Sequence, residues 1–147
     1  MLILVCVEDS HHGEAAARAG VRYGEAVGVA LHAVHVVNLP KAVYTMFETI
    51  PLGTEELASA ERAAVWNRVG PILDAADVPV RRIDLDGVPS EEIIHYATEV
   101  EADLIIVGNR HRSETRRLFL GSTSSRVLQL ARCDVLLANS EEQAGGG

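Results

Sequence analysis

Two hydrophobic periods alternate along the chain, and their alternation predicts a regular series of strands and helices. Residues 2–7 form a nearly continuous apolar run, the mark of a strand covered on both faces by helices. Glu8, Asp9 and Ser10 end it, and Ser10 is placed to cap a helix that reaches about Gly28. On that helix Ala16, Ala19, Gly20, Tyr23, Ala26 and Val27 recur at helical spacing and predict its apolar face. A second strand follows over residues 29–37. Residues 38–53 show no clean period and contain Pro40, Tyr44, Met46, Phe47 and Pro51. They read as a functional or mobile loop in which Tyr44, Met46 and Phe47 could supply an apolar lid.

Thr54 with Glu55 and Glu56 opens the next helix, its acidic first turn matched to the helix dipole. Val65, Val69, Ile72, Leu73 and Ala76 give it a core face, and Pro71 is expected to kink it or end its regular part. Residues 80–85 alternate apolar with arginine and aspartate, as a strand near a sheet edge does. Gly87, Val88 and Pro89 turn into a helix with Ser90, Glu91 and Glu92 at its start and Ile93, Ala97 and Val100 on its apolar side. Residues 104–107 predict a fourth strand ending in a turn at Gly108; Ser124, Val127, Leu128 and Ala131 a last helix; and residues 133–138 a fifth strand. The polar, glycine-terminated stretch 140–147 reads as a disordered tail, which leaves residues 1–139 as one domain.

Strands that alternate with helices imply a parallel sheet joined by right-handed crossovers, in three α/β/α layers with five strands. In such sheets ligands bind beyond the carboxyl ends of the strands, where the strand order reverses. That rule gathers residues 7–10, 36–38 and 107–111 around one crevice.

Composition narrows the chemistry. A net charge of −8 opposes general nucleic-acid binding, which needs a basic surface to neutralise phosphates. No run approaches the ~20 apolar residues of a membrane span, and the start lacks the basic region of a signal peptide, so a soluble cytoplasmic protein is expected. Lys41 is the single lysine; the other basic residues are arginines, six of them between Arg110 and Arg132. This acidic, lysine-poor composition fits salt adaptation or a GC-rich genome. Cys6 and Cys133 lie in apolar runs, where a cysteine acts as a small hydrophobe. His11 and His12 lack a third ligand at useful spacing, and His32 and His35, three apart on a strand, project to opposite faces, so no metal site is expected.

The motif with the clearest chemistry begins at Val107, Gly108, Asn109, Arg110 and His111 and resumes at Gly121, Ser122, Thr123, Ser124 and Ser125. Its second half opens a helix whose first N–H groups lack intrahelical partners and so suit a phosphate. A helix start capped by its own hydroxyls has the same sequence, and Arg116 and Arg117 equally suit a solvated loop face. No Gly-x-Ser-x-Gly elbow and no P-loop lysine motif is present.

From residue 2 to residue 138 the chain resembles the single-domain universal stress proteins. The resemblance rests on Val7-Glu8-Asp9-Ser10, His35-Val36-Val37-Asn38, Gly87-Val88-Pro89 with Glu91-Glu92-Ile93, Ala102-Asp103 through Gly108, and Leu120-Gly121-Ser122. It implies a Rossmann-like, adenine nucleotide alpha hydrolase-like sheet of order 3-2-1-4-5 and a homodimer through the last strand. It also implies a stress-linked regulatory module that binds ATP, with or without Mg2+, and hydrolyses it at most weakly. Glu8 or Asp9 would hold the magnesium ion. The implied nucleotide contacts are Val7, Glu8 and Ser10 after the first strand, Val36 after the second, and Val107, Gly108, Arg110 and His111 after the fourth. Gly121, Ser122, Thr123 and Ser124 complete the set. His111 departs from the family pattern, which has glycine there to supply a positive φ or a close approach to phosphate. Two rivals follow: an interaction protein of the same fold that holds no nucleotide, and a slow ATPase.

Overall fold

The computed structural model describes residues 1–38, 53–111, 118–119 and 121–140, with backbone alone for 110, 111, 118 and 119. Its elements are β1 (Leu2–Cys6), α1 (His11–Val27), β2 (Ala30–Val37), α2 (Thr54–Asp74) and β3 (Val80–Asp86). They are followed by α3 (Pro89–Glu99), β4 (Leu104–His111), β5 (Leu118–Phe119), α4 (Ser122–Leu130) and β6 (Asp134–Asn139). Five strands pair in parallel in the order β3-β2-β1-β4-β6, which is the expected 3-2-1-4-5 order of the five predicted strands.

The sixth strand was not expected. β4 does not turn at Gly108 but continues to His111, because β6 runs alongside it with Gly108 opposite Ala138 and Asn109 opposite Asn139. β5 then pairs antiparallel with its end, Arg110 opposite Phe119 and His111 opposite Leu118.

Successive strand residues face opposite layers, and each face has its own core. Ile3, Val5, Leu31, Ala33 and Ile106 pack against Ala16 and Ala17 of α1 and Val65 and Val69 of α2. Leu4, Val34, Ile105 and Val107 pack against Ile93 and Ala97 of α3 and Val127 of α4. Leu4, Leu31, Ile105 and Ile106 are fully buried, each contributing about 1.5–3 kcal/mol of burial free energy.

The apolar face of α1 differs from the expected one. Tyr23, Ala26 and Val27 are exposed, and the buried residues are Gly13, Ala16, Ala17, Ala19, Gly20 and Gly24. Proximity decides this: a Cβ on Gly20 would stand 2.5 Å from Val5 Cγ2, and one on Gly24 2.7 Å from Leu31 Cδ2. Only small residues let the helix lie that close to the sheet. Ser10 caps α1 as expected, its hydroxyl accepting the Gly13 N–H at 3.1 Å, and Gly28 ends the helix at φ 75°.

α2 runs through Pro71 to Asp74, so the proline does not end it. It is tied to the edge strand β3 by polar contacts. Arg62 pairs with Glu55 and Asp86, each at 3.0 Å. Trp66 donates to Asp84 at 3.0 Å, and Arg82 pairs with Asp74 at 2.8 Å while lying over the Trp66 ring. His32 and His35 face opposite layers, His32 meeting Tyr96 of α3 at 2.8 Å. Burial lowers the His32 pKa, with Arg81 adding to the effect. Among the described residues no helix is long and apolar enough to cross a membrane. Ser140 is buried; the rest of the expected tail and the expected lid residues Tyr44, Met46 and Phe47 lie outside the described residues.

Candidate functional site

The carboxyl ends of β1, β2 and β4 open into a cleft of about 320 Å³. Its walls are the first turn of α1, Glu61 of α2, Pro89 and Ile93 of α3, and Thr123 and Ser124 of α4. Val7, Glu8, Val36, Val107, Gly108, Thr123 and Ser124, all singled out from sequence, line it together.

Ser10, Gly121 and Ser122 are not among the lining residues. The Ser10 hydroxyl is engaged at the helix cap and donates to Glu8 Oε1 at 3.0 Å, so it positions Glu8 from behind the cleft wall. Gly121 is the N-cap residue of α4 at φ −68°, a conformation open to any residue, and Ser122 is exposed. The side chains of Arg110 and His111, and the whole of Arg112, Arg116 and Arg117, lie outside the described residues. The His111 backbone is extended and strand-paired, so the positive φ that would favour glycine there is absent. Gly108 is needed for another reason: a Cβ there would run into the His12 carbonyl oxygen and stand 2.7 Å from the carbonyl carbon. Its missing side chain lets α1 close onto β4.

The cleft is electrostatically divided. On one side α4 begins with N–H groups that no side chain among the described residues caps, and Ser124 Oγ donates to the Gly108 carbonyl at 3.3 Å. An anion fits such a helix start. On the other side stand Glu8 and Asp9. Asp9 accepts from Arg68 of α2 at 3.2 Å, and Arg68 also donates to Glu14 at 2.9 Å. The hydrogen bond it donates to Asp9 is the main cause that lifts the Arg68 pKa above its ordinary value. Between these poles the walls are apolar, formed by Val36, Ile93 and Val107. Cys6 lies among them, its thiol pushed by burial, and further by the Glu8 carboxylate, from 9.0 to about 12.

Among the lining residues without a site role in the sequence reading are His35 and Glu61. His35 is 4% exposed, and its Nδ1 donates to the Val7 carbonyl at 3.3 Å. In the sequence it stands beside Val36 in the motif after the second strand. Glu61 of α2 approaches His35 Nε2 at 4.0 Å. A signal for Glu61 existed: it falls at helical spacing between Ala58 and Val65, both buried, so a carboxylate interrupts the core stripe of α2.

A doubly wound α/β domain with an anion-ready helix start at its switch point is the class that this fold and cleft define. The profile of the universal stress protein family matches residues 1–139, and the chain belongs to that family. A universal stress protein of Methanocaldococcus jannaschii is 26% identical over 96% of this chain and 83% of its own length. One from Thermus aquaticus is 34% identical over 92% of this chain and 96% of its own. A solved universal stress protein from Archaeoglobus fulgidus superposes with a TM-score of 0.72 at 22% identity, covering 94% of this chain and 98% of that one. Another solved as a complex with cAMP gives 0.70 at 17%, covering 96% and 98%. An Archaeoglobus fulgidus complex with dAMP gives 0.67 at 19%, covering 94% and 97%. At these identities the structures establish the shared fold.

Proposed function

We propose that the cleft binds an adenine nucleotide, with ATP as the ligand, and that the protein is a nucleotide-responsive regulatory module of the cytoplasmic stress response. The observation that carries this reading is the convergence of Glu8, Val36, Gly108, Thr123 and Ser124 on one cleft from four separate elements. The polyphosphate lies at the N-terminus of α4, where free N–H groups and the helix dipole favour negative charge. Glu8, held by Ser10, accepts ribose hydroxyls, and the base lies between apolar walls near Val36. Arg110 and His111 follow Gly108 on the same strand and are the further phosphate contacts that the family resemblance implies. The cAMP and dAMP complexes of fold relatives support the ligand class. Glu8 or Asp9 would hold a Mg2+ ion, which would neutralise phosphate charge. With Asp9 engaged and Cys6 a neutral thiol, hydrolysis is at most slow.

The outer strand β6 pairs with β4 alone among the described residues, and its Val135, Leu136 and Leu137 are half-buried. A second copy pairing along that edge would cover it, which supports a homodimer. The rival reading, an interaction module without nucleotide, rests on His111 in place of the motif glycine. Chromatography of nucleotide released from the purified protein tests the proposal, together with ATP titration of wild type and His111→Gly with and without Mg2+. Saturable wild-type binding below millimolar ATP is expected. Binding by His111→Gly alone would favour the rival, and binding by neither would overturn nucleotide recognition altogether.

A further inference from the structure

The imidazole of His35 is buried in the cleft wall with one nitrogen satisfied and the other not. Nδ1 faces the Val7 carbonyl, which can only accept, so Nδ1 carries the proton. In the neutral ring Nε2 is then a bare acceptor, and it has no hydrogen-bond partner. The nearest carboxylate, Glu61 Oε1, is 4.0 Å away, beyond hydrogen-bond reach, and it too is an acceptor. His35 Nε2 is thus a buried acceptor without a donor, a state rarely left in folded proteins, and it stands beside a second acceptor, Glu61, whose carboxylate is half-exposed at the cleft.

Strand order says which part of a ligand arrives there. The cleft spans β2, β1 and β4 in sequence across the sheet, with α4 beyond β4. If phosphates sit at α4 and ribose at Glu8 after β1, the base falls at the β2 end, where His35 belongs and α2 supplies Glu61. We infer that His35 Nε2 and Glu61 form an acceptor pair that selects a purine nucleotide carrying an exocyclic amino donor over its oxo counterpart. An amino group offers two N–H donors, one for each acceptor. An oxo group presents a lone pair to both, and a site built to pair with a donor rejects the analogue that lacks it by leaving buried polar groups unpaired. The inference rests on the nucleotide reading above and adds the side chains that read the base.

The test compares ATP with inosine triphosphate, which differs by the 6-amino to 6-oxo exchange, on wild type and two variants. His35→Asn keeps an N–H donor near the Nδ1 position for the Val7 carbonyl and removes the Nε2 acceptor. Glu61→Gln changes a partly exposed side chain on α2 and serves as a second probe where the buried substitution disturbs folding. Wild type is expected to prefer ATP by roughly tenfold or more. Each variant is expected to bring the two nucleotides within about threefold, chiefly through weaker ATP binding. Equal wild-type binding of both nucleotides, or a preference unchanged in both variants, overturns the acceptor pair while leaving nucleotide binding intact. Failure of wild type to bind either nucleotide overturns both readings.

Discussion

Gly108 and Gly121 stand at the two ends of one motif, yet the structure gives them opposite surroundings. At Gly108 the backbone of α1 presses against the strand, and a Cβ would collide with the His12 carbonyl. At Gly121 a Cβ would meet no described atom within 4 Å, and the backbone conformation accepts any residue. One glycine closes the fold beneath the cleft; the other leaves space at its rim. The difference teaches that a glycine spacing read as a single phosphate motif can join a packing requirement to a ligand requirement. His111 belongs to neither, because its backbone is ordinary strand.

Substitution separates the two roles. Gly108→Ala is expected to give the largest effect, a loss of about 3 kcal/mol from overpacking against a backbone that cannot rotate away. In thermal unfolding that is a fall in Tm of roughly 10 °C. Gly121→Ala is expected to cost about 0.5 kcal/mol through a poorer N-cap, while weakening ATP binding several-fold if phosphate approaches that rim. Equal losses of stability from the two substitutions would break the comparison.

Ser10→Ala lies between them. It removes the cap of α1 and the hydrogen bond that steadies Glu8, so a loss of about 1 kcal/mol by chemical denaturation is expected. Weaker nucleotide binding should accompany it, since Glu8 is then free to turn away. If affinity is unchanged, Ser10 is a cap only.

The pH responses lie at the cleft floor and the far face. Cys6 titrates near 12 in the folded protein against 9.0 for an ordinary thiol. Below about pH 9 both states hold the proton and the full contribution is present; as pH rises towards 12 the unfolded chain ionises first and native stability falls. At pH 8 alkylation of Cys6 should therefore be roughly a thousandfold slower in the folded than in the unfolded protein. His32 shifts the other way, its pKa lowered chiefly by burial. Its contribution is present above about pH 6.5 and lost as acid protonates the unfolded chain first. A small decline in Tm below that pH, abolished by His32→Gln, is the expected result.

The sheet order and the layers were legible because both sheet faces are covered, which leaves continuous apolar runs at residues 2–7 and 104–107. The α1 face was legible in part: Ala16, Ala19 and Gly20 are buried as expected, but hydrophobicity ranks Tyr23 and Val27 above Gly24, whereas distance to the sheet ranks them in reverse. The same limit hid the strand continuing past Gly108: glycine suggests a turn, but here the absent side chain admits α1. The cleft was legible at the strand ends, where topology alone gathers Glu8, Val36 and Gly108. Glu61 carried only a weak signal, a carboxylate at the spacing of the α2 core stripe, and its contact with His35 is what gives that position meaning.

Where a nucleotide binds is the deciding observation, and backbone amide NMR during an ATP titration reports it residue by residue. Saturable shifts are expected at Glu8, Val36, Thr123 and Ser124, with the N–H groups of Thr123 and Ser124 moving most. Shifts confined to other surfaces, or none up to millimolar ATP, would contradict nucleotide binding in the cleft.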